Sequence, residues 1–222
     1  MSFIIPNMEP IVNMANTKET MRSRYASIFS QTKAIKAFVA YFLFQTGNFA
    51  AFSFFGTWLA NDFSLSVQQL GTAMLILGLG NTIGSLSGSY LVRKFGIKVS
   101  LSLGLLILAA CYVVLPFAAQ LTMVEIHFLV IFFIGGVVFP IMLSLLQSLS
   151  VTARGTIAAL SNAAMYGGTT IGGFAGGALY AAFSGFQAVS LFTSLLFIIS
   201  LFVFVGSGIM NQQVEKERSI AK

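Results

Sequence analysis

Few side chains in this sequence could take part in acid–base, nucleophilic or metal chemistry. The 222 residues include six acidic residues, one histidine and one cysteine. With His127 as the only histidine, a cluster of metal ligands is not expected. Cys111 lies inside an apolar run without a neighbouring base, which is typical of an inert packing thiol. We therefore expect no catalytic residues, no metal, no cofactor and no enzymatic activity.

The polar side chains within the apolar runs are mainly amides and tyrosines. One set falls at positions i, i+4, i+7 and i+11, a single stripe along a helix: Tyr41, Gln45, Asn48 and Phe52. Amides at mid-depth in a membrane are costly unless they meet water or a partner. Gln45 and Asn48 could therefore bind a ligand or hydrogen-bond between helices, and the sequence leaves both open.

Two later runs contain further candidates. Asn162 and Tyr166 share one helix face, and the same two interpretations apply to them, with helix–helix bonding favoured. Pro140 follows Gly135 and Gly136 and must kink its helix, because it lacks a backbone N–H. The kink could act as a gate hinge or be a fixed bend.

The composition decides what surrounds these residues. The chain is 57% hydrophobic and 8% charged, far below the quarter that soluble domains carry. About 20 apolar residues cross a bilayer as a helix. We predict an all-α integral membrane protein with six transmembrane helices, within Ala34–Ala60, Val67–Val92, Ile97–Ala119, Thr122–Leu149, Gly155–Phe183 and Gln187–Met210.

The basic residues indicate the orientation. With six spans, all twelve Lys and Arg residues fall on one side, in the N-terminal segment, the connection Arg93–Lys98, Arg154 and the C-terminal tail. Lys and Arg accumulate in cytoplasmic loops. We therefore expect a multi-pass protein of the cell membrane with both termini cytoplasmic. The net charge of +6 then follows from topology, and nucleic-acid binding is not expected.

Three regions are predicted along the chain. Residues 1–33 form a cytoplasmic extension, residues 34–210 the six-span bundle, and residues 211–222 a cytoplasmic tail. The stretch Lys18–Lys36 mixes bases with apolar residues at helical spacing. It is either an amphipathic helix on the inner headgroups or a lever coupled to a partner domain.

Glycine spacing reveals an internal repeat. The second and fifth spans both carry glycine at every fourth position: Gly80, Gly84 and Gly88, then Gly168, Gly172 and Gly176. Such stripes let another helix approach closely. Second and fifth are equivalent positions if three spans repeat, and an odd number of spans inverts the second copy. We therefore expect two inverted three-helix repeats, a plan that recurs in secondary transporters.

The residues that follow Gly88 carry a family resemblance. The stretch from Leu91 resembles the loop signature of the major facilitator superfamily, and four residues match it in type: Leu91, Lys94, Gly96 and Lys98. Ser89, Arg93 and Ile97 replace its first glycine, its aspartate and one base. This degraded form is similar to the loop between the eighth and ninth helices of the family. The stretch beginning Ala153-Arg154-Gly155, with Asn162 and Tyr166 beyond it, resembles the start of the eleventh helix in drug and sugar efflux members.

The resemblance implies one six-helix bundle of a two-bundle transporter. The first and fourth spans would then face the substrate cavity, with Tyr41, Gln45, Asn48 and Phe52 on its wall. The loop residues Leu91, Arg93, Lys94, Gly96, Lys98 and Arg154 would serve conformational change. Because the chain matches the second bundle and the central loop, we expect a fragment, a truncated gene product or a half that pairs with a second bundle, either the missing N-terminal half or another copy.

Two functions are compatible with this. The first is transport of a small organic molecule by alternating access, as in efflux permeases, with proton coupling implied by the resemblance alone. No ionisable side chain is expected near mid-bilayer, so the coupling carboxylate would come from the other bundle. The second is a non-transporting membrane component that assembles with a partner bundle. The partners expected in either case are the lipid bilayer and a second bundle.

The orientation can be tested by thiol labelling. In a Cys111→Ser background, Ser64→Cys should react with an impermeant reagent on intact cells, whereas Lys98→Cys should react only after permeabilisation, because its connection carries the cytoplasmic bases. Labelling at position 98 but not at position 64 would reverse the orientation.

Overall fold

The computed structural model describes residues 25–26, 28–150, 153–183 and 185–211. Six long helices make up this part of the chain: α1 (Thr32–Phe63), α2 (Val67–Phe95), α3 (Ile97–Val114), α4 (Leu121–Gln147), α5 (Arg154–Ala182) and α6 (Phe186–Ser207). A short 3₁₀ turn, Leu115–Phe117, continues α3. These bounds lie close to those that the sequence predicts. Most of the predicted extension and tail, including residues 18–24 of the amphipathic stretch, lies outside the described residues.

The turns between helices have local causes. Ser64 adopts a left-handed conformation with φ of 52° and stops α1. Ser66 then starts α2 with a capping box: its hydroxyl accepts from the Gln69 N–H, and the Gln69 side chain accepts from the Ser66 N–H. Gly96, with φ of +81°, is the single residue between α2 and α3. A side chain there would be strained, so glycine permits this abrupt reversal.

Five of the six helices are long and apolar enough to cross a membrane. The exception among the described helices is α5, which has the length of a span at 29 residues but is rich in glycine, serine and threonine. These small and hydroxyl-bearing residues lower its mean hydropathy. Length and hydropathy alone therefore do not identify α5 as a span, and support for the sixth predicted span has to come from how α5 packs.

The glycines of α2 lie against α4. A Cβ atom on Gly80 would lie 2.9 Å from the Leu129 carbonyl oxygen, and one on Gly84 would overlap the Phe133 backbone. At Gly88 the gap widens slightly, to 3.6 Å from the Val137 Cα. The α2 and α4 backbones thus approach closely enough to exclude any larger residue at Gly84. We call this contact the α2–α4 seam.

The glycines of α5 lie against α1 in the same way. A Cβ atom on Gly168 would lie 3.0 Å from the Phe42 carbonyl oxygen, and one on Gly172 would overlap the Thr46 backbone. On Gly176 it would lie 2.7 Å from the Ala50 carbonyl oxygen. In this α1–α5 seam, as in the α2–α4 seam, successive glycines meet backbone groups four residues apart on the partner helix.

Helix α6 binds α1 and α3 through buried hydroxyl groups. Thr193 donates to the Gly47 carbonyl at 3.0 Å, and Ser194 donates to the Ala109 carbonyl at 2.9 Å. Ser200 donates to the Ala40 carbonyl at 2.7 Å, and Ser190 donates to the Tyr112 carbonyl. Hydrogen bonds between membrane helices contribute roughly 0.6 kcal/mol on average. Together these bonds hold α6 between α1 and α3.

Pro140 lies inside α4, which continues through it to Gln147. A proline cannot donate to the carbonyl four residues earlier, here that of Gly136. Ser85 of α2 donates its hydroxyl to this carbonyl at 3.3 Å. A neighbouring helix therefore satisfies the group that Pro140 leaves free, as backbone groups within lipid require.

The seams generate a prediction with matched controls. Gly84→Ala and Gly172→Ala should each destabilise the protein by about 1–3 kcal/mol, because the added methyl overlaps a partner backbone. Gly78→Ala, on the same helix as Gly84 with open space around it, should be neutral or stabilising by up to about 1 kcal/mol. Thermal unfolding in detergent measures the difference. Equal shifts at all three positions would mean that the seams do not determine stability.

Candidate functional site

A cavity of about 210 Å³ lies where α1, α2 and α4 meet. Helix α1 contributes two amides and two aromatic rings to it, and α4 contributes Ile131, Phe132, Gly135 and Phe139. Asn81 of α2, Leu108 of α3 and Met165 of α5 complete the lining. The α1 residues are Phe44, Gln45, Asn48 and Phe49. The wall is thus aromatic and apolar, with three amides placed among the rings.

The Gln45 side chain has one hydrogen-bond partner among the described residues. Its Nε2 donates to the Tyr41 hydroxyl at 3.4 Å, one helical turn away. Its Oε1 is buried and has no hydrogen-bond partner among the described residues. A buried acceptor without a partner costs free energy unless something donates to it. The Gln45 carbonyl oxygen is thus a buried acceptor beside the cavity without a described donor.

A second cavity, of about 370 Å³, adjoins the first. The two share Asn48, Phe49, Asn81 and Phe132, so they form one continuous cleft along α1, which we call the amide cleft. Phe52 lines the second part and is 43% exposed. Sequence reasoning missed Asn81, which lines both parts. Its position directly after Gly80 was the available signal, because a residue beside a seam lies at the edge of the helix contact.

The other residues predicted for a cavity wall lie elsewhere. Tyr41 is buried, packs against Phe139 with ring centres 6.3 Å apart, and reaches the cleft only through Gln45. Pro140 lines a separate cavity of about 270 Å³ beside the α2–α4 seam. Asn162 and Tyr166 are exposed on α5, outside the described linings of the amide cleft.

The loop-motif residues cluster at one end of the bundle. Arg93 and Lys94 form the last turn of α2, where cations complement the helix dipole. The Lys94 ammonium lies 5.3 Å from the centre of the Phe95 ring. Lys98 donates to the Asn211 side chain at 3.4 Å, which joins the start of α3 to the end of the described chain. Arg154 begins α5.

The chemistry available in the amide cleft is recognition. Its described lining consists of amide, aromatic, aliphatic, methionine and glycine residues, none of which ionises. Such a surface stacks on flat apolar groups and exchanges hydrogen bonds with polar ones. The cleft is therefore suited to bind a small organic molecule.

The shape of the cleft can be tested by cross-linking. In a Cys111→Ser background, Asn48→Cys and Asn81→Cys should be joined by a short bifunctional thiol reagent, because both positions line the same two cavities. Asn48→Cys paired with Thr82→Cys is the control, since Thr82 is exposed and absent from these linings. Intact-protein mass spectrometry distinguishes internal cross-links from single attachments. Equal cross-linking of both pairs would contradict this arrangement of α1 and α2.

Comparison with known proteins gives the family. The sequence profile of the Major Facilitator Superfamily matches residues 37–219. The uncharacterized MFS-type transporter YceJ of Bacillus subtilis (strain 168) is 47% identical over 201 residues, which are 90% of this chain and 51% of the relative. The chain thus spans about half the length of the curated relative that it matches. The family resemblance drawn from the sequence is confirmed: this chain is a multi-pass membrane protein that belongs to the major facilitator superfamily of transporters.

Proposed function

We propose that this chain forms one bundle of a secondary transporter, which moves a small organic molecule by alternating access in the manner of an efflux permease. The observation that carries this proposal is the amide cleft itself, in which Asn48 and Asn81 line both cavities among aromatic rings. A transported molecule could exchange hydrogen bonds with the Asn48 and Asn81 amides, which are half-buried and exposed, respectively.

Within this bundle we propose six spans arranged as two inverted repeats, α1–α3 and α4–α6. The two seams support this, because exchanging the repeats converts the α1–α5 contact into the α4–α2 contact. The two seams also have the same register. The Thr46 backbone contacts Gly172, the middle glycine of α5, and the Phe133 backbone contacts Gly84, the middle glycine of α2. The place of α5 in a seam, equivalent to that of α2, supports its being the sixth span.

A second bundle completes the substrate cavity in this proposal. The amide cleft is open along one side, where Asn81 and Phe52 are exposed. Amides and hydroxyl groups facing lipid carry a cost, whereas a facing bundle would enclose them. The exposed Asn162 and Tyr166 of α5 would then line the interface between bundles. The second bundle is either a separate half or another copy of this chain.

We further propose that both termini are cytoplasmic and that the protein lies in the cell membrane. Two hydrogen bonds support the proposal that the basic segments lie on the same side of the membrane. Lys36 donates to the Gly206 carbonyl and Lys98 donates to the Asn211 side chain, each at 3.4 Å. These bonds bring the start of α1 and the α2–α3 connection to the end of α6. A proton gradient would drive transport through a carboxylate of the second bundle, since the described cleft lining does not ionise.

Reconstitution tests the proposal. This chain would be placed in liposomes with a proton gradient, alone and together with the segment of the 47%-identical relative that lies outside the match. Uptake of dyes and sugars should require both components. Asn48→Leu and Asn81→Leu should each lower uptake about tenfold or more, because a lost hydrogen bond in a buried site costs about 1–3 kcal/mol. Thr82→Val is the matched control and should retain full uptake.

The possible outcomes separate the alternatives. Gradient-dependent uptake by this chain as a cross-linked monomer would contradict the need for a second bundle. Uptake by cross-linked dimers would identify the second bundle as another copy. A stable two-component assembly without any uptake would contradict transport and favour a non-transporting membrane component.

A further inference from the structure

A groove of about 240 Å³ lies on the surface of the bundle between α2 and α3, apart from the amide cleft. Its walls are Leu91 and Phe95 of α2 and Val99, Leu103 and Ile107 of α3. Phe95, Val99 and Leu103 are 52%, 50% and 53% exposed. The groove shares no residue with the described lining of the amide cleft.

The packing of the helices explains why this groove exists. Helices α2 and α3 are joined only by Gly96 and make little contact with each other, because α2 packs on α4 whereas α3 packs on α4 and α6. The floor of the groove is α4, through Phe133, Ile134 and Val137. The lining of the groove is almost wholly apolar. The Ser100 hydroxyl at its edge is already hydrogen-bonded, because it donates to the Leu91 carbonyl at 3.4 Å.

The groove has the length of one acyl chain within a leaflet. From Val99 to Ile107 its wall on α3 rises about 12 Å, at about 1.5 Å per residue. One leaflet of the hydrocarbon core is about 15 Å deep. A single acyl chain can therefore run along the groove from the interface towards the middle of the membrane.

The end of the groove at the membrane surface is basic. Arg93 and Lys94 immediately precede the groove residue Phe95, and Lys98 immediately precedes Val99. All three bases are exposed, and none forms an ion pair within the described part of the chain. The first turn of α3, at the same end, has no side-chain cap among the described hydrogen bonds.

We propose that this groove binds one anionic phospholipid, with an acyl chain between α2 and α3 and the phosphate on the Arg93–Lys98 connection. Charge complementarity selects the anionic headgroup, because each Lys or Arg near an acidic membrane surface contributes about 1 kcal/mol. The apolar walls of the groove bind the acyl chain of the lipid. Cationic residues on a flat helix end would attract acidic lipid collectively, whereas this arrangement holds one molecule at one place.

Lipid titration of the whole chain in detergent tests the proposal. Native mass spectrometry and thermal unfolding would compare phosphatidylglycerol with phosphatidylcholine of the same acyl chains. Phosphatidylglycerol should bind at least several-fold more tightly and raise Tm further. The double substitution Arg93→Gln with Lys94→Gln should weaken its binding by about tenfold or more, because two phosphate-facing charges are lost.

Two matched variants separate a site from general surface charge. Arg154→Gln removes a base that begins α5, outside the α2–α3 connection, and should leave the preference for phosphatidylglycerol unchanged. Leu103→Trp fills the groove and should weaken binding of both lipids, whereas Leu86→Trp, at an exposed position on α2 outside the groove lining, should not.

Several results would overturn the proposal. One is an equal loss of preference in Arg154→Gln and the Arg93/Lys94 double variant, which would indicate collective charge attraction. Another is unchanged binding in Leu103→Trp. The same Tm increase with glycerol 3-phosphate as with phosphatidylglycerol would show that the acyl chain contributes nothing. These measurements do not depend on transport, so they stand or fall separately from the proposed function.

Discussion

Apolar side chains gain little by leaving lipid for the surface of another helix, so a membrane bundle must be held by close packing and hydrogen bonds. In this protein the close packing is concentrated in two seams, where the glycines of α2 and α5 meet the backbones of α4 and α1. The other contacts are arranged around these pairs. Helix α6 adds its hydroxyl bonds to α1 and α3, and Ser85 bonds across the α2–α4 seam to Gly136.

The amide cleft follows from the same arrangement. Because α1 packs closely on α5 and α2 packs closely on α4, α1 and α2 have little contact with each other. The space left between these two pairs is the cleft, into which Asn48 of α1 and Asn81 of α2 project. The seams thus set the position of the cleft walls, and any relative movement of the pairs would change its width. Alternating access requires a cavity whose width can change in this way.

Much of the fold follows from the sequence, because hydropathy and turn residues act locally. The six apolar runs predict the helices, and Gly96 falls where α2 must reverse into α3. The periodic glycines indicate which helix faces would come close. The partner of each stripe depends on the three-dimensional arrangement, and so does the site: Asn81 lines the cleft because α2 crosses α4 at Gly80 and Gly84, a relation that spacing within α2 alone does not contain. For the same reason Asn162 and Tyr166, which share a face as predicted, lie outside the cleft.

The hydroxyl bonds of α6 bear on how this sequence can vary among relatives. Every acceptor in that set is a main-chain carbonyl, at Ala40, Gly47, Ala109 and Tyr112. Any residue at these positions supplies a main-chain carbonyl. The bonds therefore restrict which residues can occupy the donor positions on α6, but they require no particular side chain at the acceptor positions. Selection for this contact therefore falls on one helix, and α1 and α3 remain free to change their side chains at the accepting positions within the limits of space. A lineage can in this way alter the side chains of α1, the helix that carries Gln45 and Asn48, without losing the bonds that hold that helix in place.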